Sequence, residues 1–380
     1  MGGLVIIDPV VVALLVVLTV SCWFGCLLLR RRGLRAPARV GAAAALLLTL
    51  ATTGDVVNTH FAYLPRLADV LGVPTWPTVQ AAELRPAPAG RSATDHPARR
   101  RDHRGGGVIS LTLPGQRSGF GGHRALIYLP PEYFTQPGRR FPVVYLLHGS
   151  PGAPVDWFRA DRASDVGLAA ARDGNPLILV APAMSQRWSD DSECVDRPRE
   201  HVEQYLIGDV VPQVDRVLRT VPERGARAVA GNSAGGYCAL NLGLRHREVF
   251  STIIDLSGYT APTFDAGLPA LFGPRPDLRQ QVAANTPAEY AGRLAAEPRV
   301  RLWLDSGAGD RRPRRDLSSL APVLRGRGQQ VTLHLRPGAH EHNVWRPALR
   351  QSVLWAAPAL TRAAAAAGVE HTGQKRPQQS

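Results

Sequence analysis

The stretch 226–245, A-R-A-V-A-G-N-S-A-G-G-Y-C-A-L-N-L-G-L-R, constrains the fold of this chain more than any other feature. A short β-prone run leads directly into Gly231-Asn232-Ser233-Ala234-Gly235, and a helix-prone run leads out. The G-x-S-x-G pattern is weak by itself and gains its weight from this context. Strand, tight turn and helix in immediate succession are what a nucleophile elbow requires. Small residues at 231 and 235 allow the turn, which leaves the Ser233 hydroxyl exposed at the start of the helix.

The surrounding sequence supplies a sheet in which such an elbow could sit. Short apolar, β-rich runs at 108–113, 125–129, 142–147, 177–181, 226–230, 252–256, 300–305 and 330–336 are expected as strands. Helical patterns at 162–173, 201–218, 234–245, 286–296, 317–325 and 348–364 alternate with them. Continuous apolar strands suit burial on both faces, and the alternation predicts an α/β fold: a mostly parallel eight-stranded sheet with helices on both faces. The first two strands have only a short connection and are expected to pair antiparallel at one edge.

A serine hydroxyl needs a base to take its proton and a carboxylate to orient that base, following in the chain order Ser, Asp or Glu, His. In P-G-A-H-E-H-N-V-W, His340 comes just after the last strand and a Pro-Gly turn, where the base belongs. His342 is the runner-up, and His334 inside the strand reads as structural. For the acid, the strand 300–305 runs into S-G-A-G-D, which puts Asp310 beyond its C-terminal end, the edge where open α/β sheets place their sites. Asp305 competes but is expected to end the strand itself. Asp316 is expected to begin the next helix, and Asp255 to be a buried, hydrogen-bonded carboxylate. An oxyanion would be held by two backbone N–H groups, one from Ala234 and one from the loop His148-Gly149-Ser150-Pro151-Gly152. Pro151 has no N–H, so Ser150 is the expected donor, with His148 bracing the loop.

Four segments, L-L-H-G, G-N-S-A-G-G, G-A-G-D and G-A-H-E-H-N-V-W-R, resemble the putative-esterase family of the α/β-hydrolase superfamily, which includes esterase D, feruloyl esterases and mycolyltransferases. The likeness covers roughly residues 108–360. It implies an α/β-hydrolase fold and carries the base onto His340 and the acid onto Asp310, because the last segment resembles the family's G-G-H-D-x-x-x-W. Asn232 and Ala234 stand where the family often has Phe and Met, and Glu341-His342 replaces a more usual Asp-Trp or Asp-Phe. Mycolyltransferases use a glutamate acid, so Asp310 tilts away from that activity. The N-terminal arrangement resembles membrane-anchored actinobacterial members of the family.

That arrangement is two apolar segments within residues 1–60. Residues 10–29 carry no charge and are long enough to cross a bilayer as a helix; residues 40–57 form a weaker, Ala-rich second segment containing Asp55. Arg30, Arg31, Arg32, Arg35 and Arg39 lie between them. Arginines in a short connecting loop place it in the cytoplasm, so the catalytic domain is expected outside, in a multi-pass protein of the cell membrane. The alternative is an exported chain with a long-headed signal peptide. Residues 61–107 read as a juxtamembrane segment and flexible linker carrying Arg99, Arg100, Arg101 and Arg104; 108–362 reads as the catalytic domain and 363–380 as a disordered tail.

The formal charge of +14 does not imply a nucleic-acid partner. Lys375 is the sole lysine, so the excess is arginine, part of it in linkers and the membrane-flanking loop rather than on one periodic face, and no recognition motif accompanies it. Cys22 and Cys26 fall in the first apolar segment, whereas Cys194 and Cys238 are a candidate disulfide pinning the 182–200 loop; two buried free thiols are the alternative. No cofactor motif appears, and no metal site is expected.

The expected function is therefore an exported, membrane-anchored serine ester hydrolase acting through an acyl-enzyme, with Ser233, His340 and Asp310 as its triad. Its partners would be the membrane and a carboxylic ester, that of a lipid or envelope glycolipid in one reading. Residues 258–298, with Leu268, Leu271 and Phe272, are expected to wall an acyl pocket. Acyl transfer to a sugar or lipid alcohol is one alternative, and a non-catalytic envelope protein that keeps the fold is another.

Overall fold

The computed structural model describes residues 5–79, 103–121 and 123–373. Arg99, Arg100 and Arg101 of the expected linker, and Lys375 of the tail, lie outside the described residues. The chain forms two units, one of residues 1–75 with 341–343 and one of residues 76–340 with 344–380.

The first unit is a helical hairpin of α1 (Pro9–Arg31) and α2 (Arg35–Phe61). Asp8 starts α1 by accepting the Val10 N–H at 2.8 Å, with Pro9 at the first helical position. Small polar contacts hold the two helices together: Thr19 and Thr52 hydroxyls meet at 2.8 Å, and the Trp23 indole N–H donates to Thr49 Oγ1 at 2.9 Å. The Cys26 thiol donates to the Ala38 carbonyl at 3.1 Å. At 23 and 27 residues, both helices are long and apolar enough to cross a membrane. Large apolar side chains of α1, among them Val10, Val17, Val20 and Phe24, are exposed, a surface that suits hydrocarbon better than water.

The second unit is built on an eight-stranded sheet. Its strands are β1 (Gly107–Leu113), β2 (His123–Leu129), β3 (Val143–Leu147), β4 (Ile178–Ala181), β5 (Arg227–Asn232), β6 (Thr252–Leu256), β7 (Arg301–Gly307) and β8 (Gln330–Arg336). They lie in the order β1-β2-β4-β3-β5-β6-β7-β8. β1 pairs antiparallel with β2, and β2 antiparallel with β4; the remaining pairs are parallel, so the sheet is mixed.

Side chains alternate between the two faces and divide the core accordingly. Val143, Tyr145 and Leu147 of β3 pack on one face with Tyr237 and Leu240 of α4 (Ala234–Arg245) and with Leu317 and Leu320 of α5 (Arg311–Gly326). Val144 and Leu146 pack on the other with Val166 and Ala170 of α3 (Ala163–Arg172) and with Leu349 and Val353 of α6 (His342–Gly373). The helical segment 202–217 covers the first face, and its middle turn, Tyr205–Val210, is a π-helix.

Four segments of secondary structure depart from the expectations. Residues 76–79, at the front of the expected flexible linker, are docked. Thr78 bridges Val108 in parallel, Val79 is buried in the core and Trp76 packs on Phe158. The tail expected to be disordered from 363 is helical to Gly373. Its alanine run is a strong helix former, and Ala364 and Ala367 pack against Val221 and Ala226. The expected helix 286–296 shrinks to Pro287–Tyr290 and a 3-10 turn at Ala291–Arg293, since Gly292 weakens it and Pro298 lies just beyond. Lastly, α5 begins at Arg311 with Asp310 as its N-cap, so Asp316 lies inside the helix rather than at its start.

Candidate active site

Ser233 occupies the turn between β5 and α4 with φ 55° and ψ −124°, a strained combination for a residue with a Cβ. The flanking hydrogen bonds hold it there. Its N–H donates to the Leu256 carbonyl at 2.9 Å, and its carbonyl accepts from Gly236 and Tyr237 at 2.9 and 3.1 Å. The two glycines of the motif are required by space. A Cβ at Gly231 would lie 1.8 Å from the Gly235 carbonyl oxygen, and one at Gly235 would lie 2.0 Å from that of Leu147.

The imidazole of His340 reaches this serine from the turn after β8. Its Nε2 is 2.8 Å from Ser233 Oγ and its Nδ1 is 2.6 Å from Asp310 Oδ2. The loops carrying these partners are tied to each other. Gly309 N–H donates to the Gly338 carbonyl at 2.9 Å, Ala308 N–H to the Arg336 carbonyl at 2.7 Å, and a Cβ at Gly307 would lie 2.6 Å from the Ala339 oxygen. Trp345 meets the His340 ring edge-on at 4.8 Å. Asp310 is almost fully buried, whereas His340 is open to solvent on one side. A carboxylate only accepts, so Asp310 fixes the proton on Nδ1 and leaves the Nε2 lone pair to accept from the serine O–H.

The competing residues are occupied elsewhere. Asp305 is buried in β7, accepts from Arg336 through both oxygens and from the Trp303 indole at 3.1 Å. Asp316 pairs with Arg312 and Arg315. Asp255 is fully buried, accepts the Gly258 N–H at 2.6 Å, and is pushed up to about 8 by burial. His334 stacks on Trp303 at 4.0 Å, and His342 is the buried first residue of α6.

Ala234 opens α4, so its N–H is among those a helix leaves without an internal acceptor. Ser150 lies in the facing loop, next to Gly149, whose added Cβ would stand 3.3 Å from Ser233 Cβ. Ser150 and Ala234 line one small pocket together with His148, Met184, Asp191 and Glu193. His148 is buried. Its Nδ1–H donates to the Gly149 carbonyl at 2.8 Å while Nε2 accepts from Met184 N–H at 3.4 Å, and burial holds its pKa below the ordinary imidazole value. It braces the loop in the neutral form.

Cys194 and Cys238 form a disulfide that joins the 182–200 loop to α4. Leu268, Leu271 and Phe272, expected to wall an acyl pocket, instead pack into a small core of their own with Val195 and Phe264. One residue escaped sequence reasoning altogether. Glu193 is buried and accepts hydrogen bonds from the Tyr259 hydroxyl at 3.0 Å, the Thr263 N–H at 2.6 Å and the Thr263 hydroxyl at 2.8 Å. Burial, reinforced by the nearby Asp191 carboxylate, pushes it up to about 8. In S-D-D-S-E-C it reads as one more loop acid, and only its adjacency to Cys194 singles it out.

Comparison with known proteins places the chain in an esterase family. The family model described as "Putative esterase" matches residues 122–356. The chain is 28% identical to an uncharacterised protein of Corynebacterium glutamicum, over 84% of this chain and 76% of that one. It is 32% identical to an esterase of Mycobacterium tuberculosis, over 37% of this chain and only 30% of that protein's length. Among solved structures, a ferulic acid esterase superposes with a TM-score of 0.57 at 22% identity, over 67% of this chain and 98% of that one. An S-formylglutathione hydrolase of Agrobacterium tumefaciens superposes at 0.55 with 17% identity, over 68% and 98%. At these identities the structural likeness speaks to the fold alone.

Proposed function

As a member of the putative-esterase family of α/β-hydrolases, the chain is a carboxylic ester hydrolase, and we propose that it cleaves its ester through an acyl-enzyme on Ser233. The observation that carries this reading is the unbroken hydrogen-bond chain from Ser233 through His340 to Asp310, at 2.8 and 2.6 Å. As the hydroxyl attacks the ester carbonyl, His340 Nε2 takes its proton, and Asp310 stabilises the imidazolium that results. The N–H groups of Ala234 and Ser150 hold the oxygen that becomes negative, a contribution of about 100- to 1000-fold per donor. The tetrahedral adduct then collapses. The alkoxide leaves with the proton from His340, and the acyl group stays on Ser233. Water enters and attacks the acyl carbon as it gives its proton to the same nitrogen. The second adduct then collapses: the bond to Ser233 Oγ breaks, the serine takes the proton back from His340, and the carboxylic acid leaves.

The two apolar N-terminal helices support a finer reading in which the enzyme is anchored in the cell membrane with its catalytic unit on the outer side. An ester presented at a lipid surface then becomes the natural substrate, because the anchor keeps enzyme and membrane together. Hydrolysis of short- and long-chain nitrophenyl esters by the full chain in detergent tests the proposal, with Ser233→Ala as control. Turnover that disappears in the variant supports it, and turnover that survives the substitution refutes it.

A further inference from the structure

We propose that Glu193 is a positioning residue for the oxyanion side of the site: by clasping Tyr259 and Thr263 it fixes the 184–194 loop, and through that loop the segment that carries Ser150. The inference deepens the acyl-enzyme reading and rests on it.

The 184–194 loop is the wall that the two candidate oxyanion donors face. It contributes Met184, Asp191 and Glu193 to the pocket that Ser150 and Ala234 also line. Its tip touches the Ser150 segment directly. The Ser150 hydroxyl donates to the Asp190 carbonyl at 3.4 Å, and the Gly152 N–H donates to the Trp188 carbonyl at 2.9 Å. Where Ser150 sits therefore depends on where residues 188–190 sit.

The other end of the loop is held from two directions. Cys194 is bonded to Cys238 on the nucleophile helix. Glu193 reaches the opposite way, to the segment after β6, and accepts from Tyr259 and from both donors of Thr263. Tyr259 is itself fixed, stacked on Tyr237 of α4 at 5.1 Å and capped by the Arg312 guanidinium at 4.9 Å. Arg312 lies two residues beyond Asp310, so the clasp joins the nucleophile helix, the acid-bearing helix and the loop around the oxyanion pocket.

Backbone conformation supplies a second, independent observation. Glu193 and Cys194 are consecutive non-glycine residues in the left-handed region, at φ 47° and 49°. Such strain persists only where the surroundings over-determine it, and it collects at functional sites. Here the disulfide and the Glu193 hydrogen bonds hold it, together with the Glu193 N–H donating to Asp191 Oδ1 at 3.0 Å and the Cys194 N–H to Ser192 Oγ at 3.2 Å. Glu193 touches neither Ser233 nor His340, so its effect on catalysis passes through the loop.

The test uses the full chain in detergent with nitrophenyl acetate as substrate, comparing kcat, KM and thermal unfolding for Glu193→Ala and Glu193→Gln. With the clasp removed, one donor is misplaced. Glu193→Ala should lose about 10- to 100-fold in kcat, somewhat less than deleting a donor outright, with KM nearly unchanged. Glu193→Gln keeps an oxygen for Thr263 and should restore most of that loss. A folded Glu193→Ala with kcat within twofold of the unmodified chain overturns the role, and so does a Gln variant as impaired as Ala. If Glu193→Ala does not fold, the double variant Tyr259→Phe with Thr263→Val decides: a lower kcat supports the clasp, and an unchanged one overturns it. An unmodified chain that neither turns over the ester nor reacts with a fluorophosphonate at Ser233 defeats the acyl-enzyme reading, and the clasp with it.

Discussion

Replacing Asp310 with Asn probes how the three site residues act together. The Asp310 carboxylate stands 2.6 Å from His340 Nδ1, and Nε2 stands 2.8 Å from Ser233 Oγ. Asparagine has the same size but presents an NH₂ group, which favours the tautomer with the proton on Nε2. That nitrogen then has no lone pair with which to take the serine proton. The equivalent change in a serine protease triad lowers kcat about 10⁴-fold, or about 5.5 kcal/mol of barrier. We expect a loss of that order here, read from nitrophenyl ester hydrolysis, with KM within about threefold and thermal unfolding little changed. Asp305→Asn is the informative control, because Asp305 is buried against Arg336. Breaking a buried pair of this kind costs about 3–5 kcal/mol of stability, so that variant should show itself first in a lower Tm. An Asp310→Asn enzyme within about tenfold of the unmodified chain refutes the orienting role. A large loss of kcat at unchanged Tm in Asp305→Asn would transfer that role to Asp305.

Three further outcomes follow from the geometry. Gly235→Ala, whose new Cβ would sit 2.0 Å from the Leu147 oxygen, should shift the elbow and lower both Tm and kcat; normal values for both would contradict the space argument. Replacing Cys194 and Cys238 together by Ser removes a cross-link spanning 44 residues, which chain entropy values at about 4 kcal/mol, and thermal unfolding should register it. Glu193 and Asp255 are both pushed up to about 8 in the folded chain. Between about pH 4 and 8 the folded state therefore binds more protons than the unfolded one, and stability falls as pH rises through that window. Thermal unfolding of Asp255→Asn should show a flatter pH dependence, and an equally steep one would refute this.

Much of the fold was legible in the sequence because its signals are local. Short β-rich runs such as 143–147 and 252–256, bounded by turn residues, read as strands buried on both faces, and the small residues around Ser233 permit the tight turn from β5 into α4. The candidate site could be read for the same reason, since Ser233, Asp310 and His340 each follow a strand at the same edge. What escaped depends on partners distant in sequence. Val79 is buried because β1 offers it an edge, and Ala364 and Ala367 are ordered because Val221 and Ala226 lie beneath them. Leu271 and Phe272 read as the wall of an acyl pocket, because nothing local shows that they pack on each other and on Val195. Glu193 gave no local sign, because its role is made by Tyr259 and Thr263, more than sixty residues along the chain.

Fluorophosphonate labelling of the full chain in detergent, followed by peptide mapping, tests the serine chemistry most directly. The expected result is a single adduct on the peptide containing Ser233, formed in step with the loss of ester hydrolysis and absent when His340 is replaced by Ala. Hydrolysis that continues after complete labelling, or an adduct on some other residue, would contradict it.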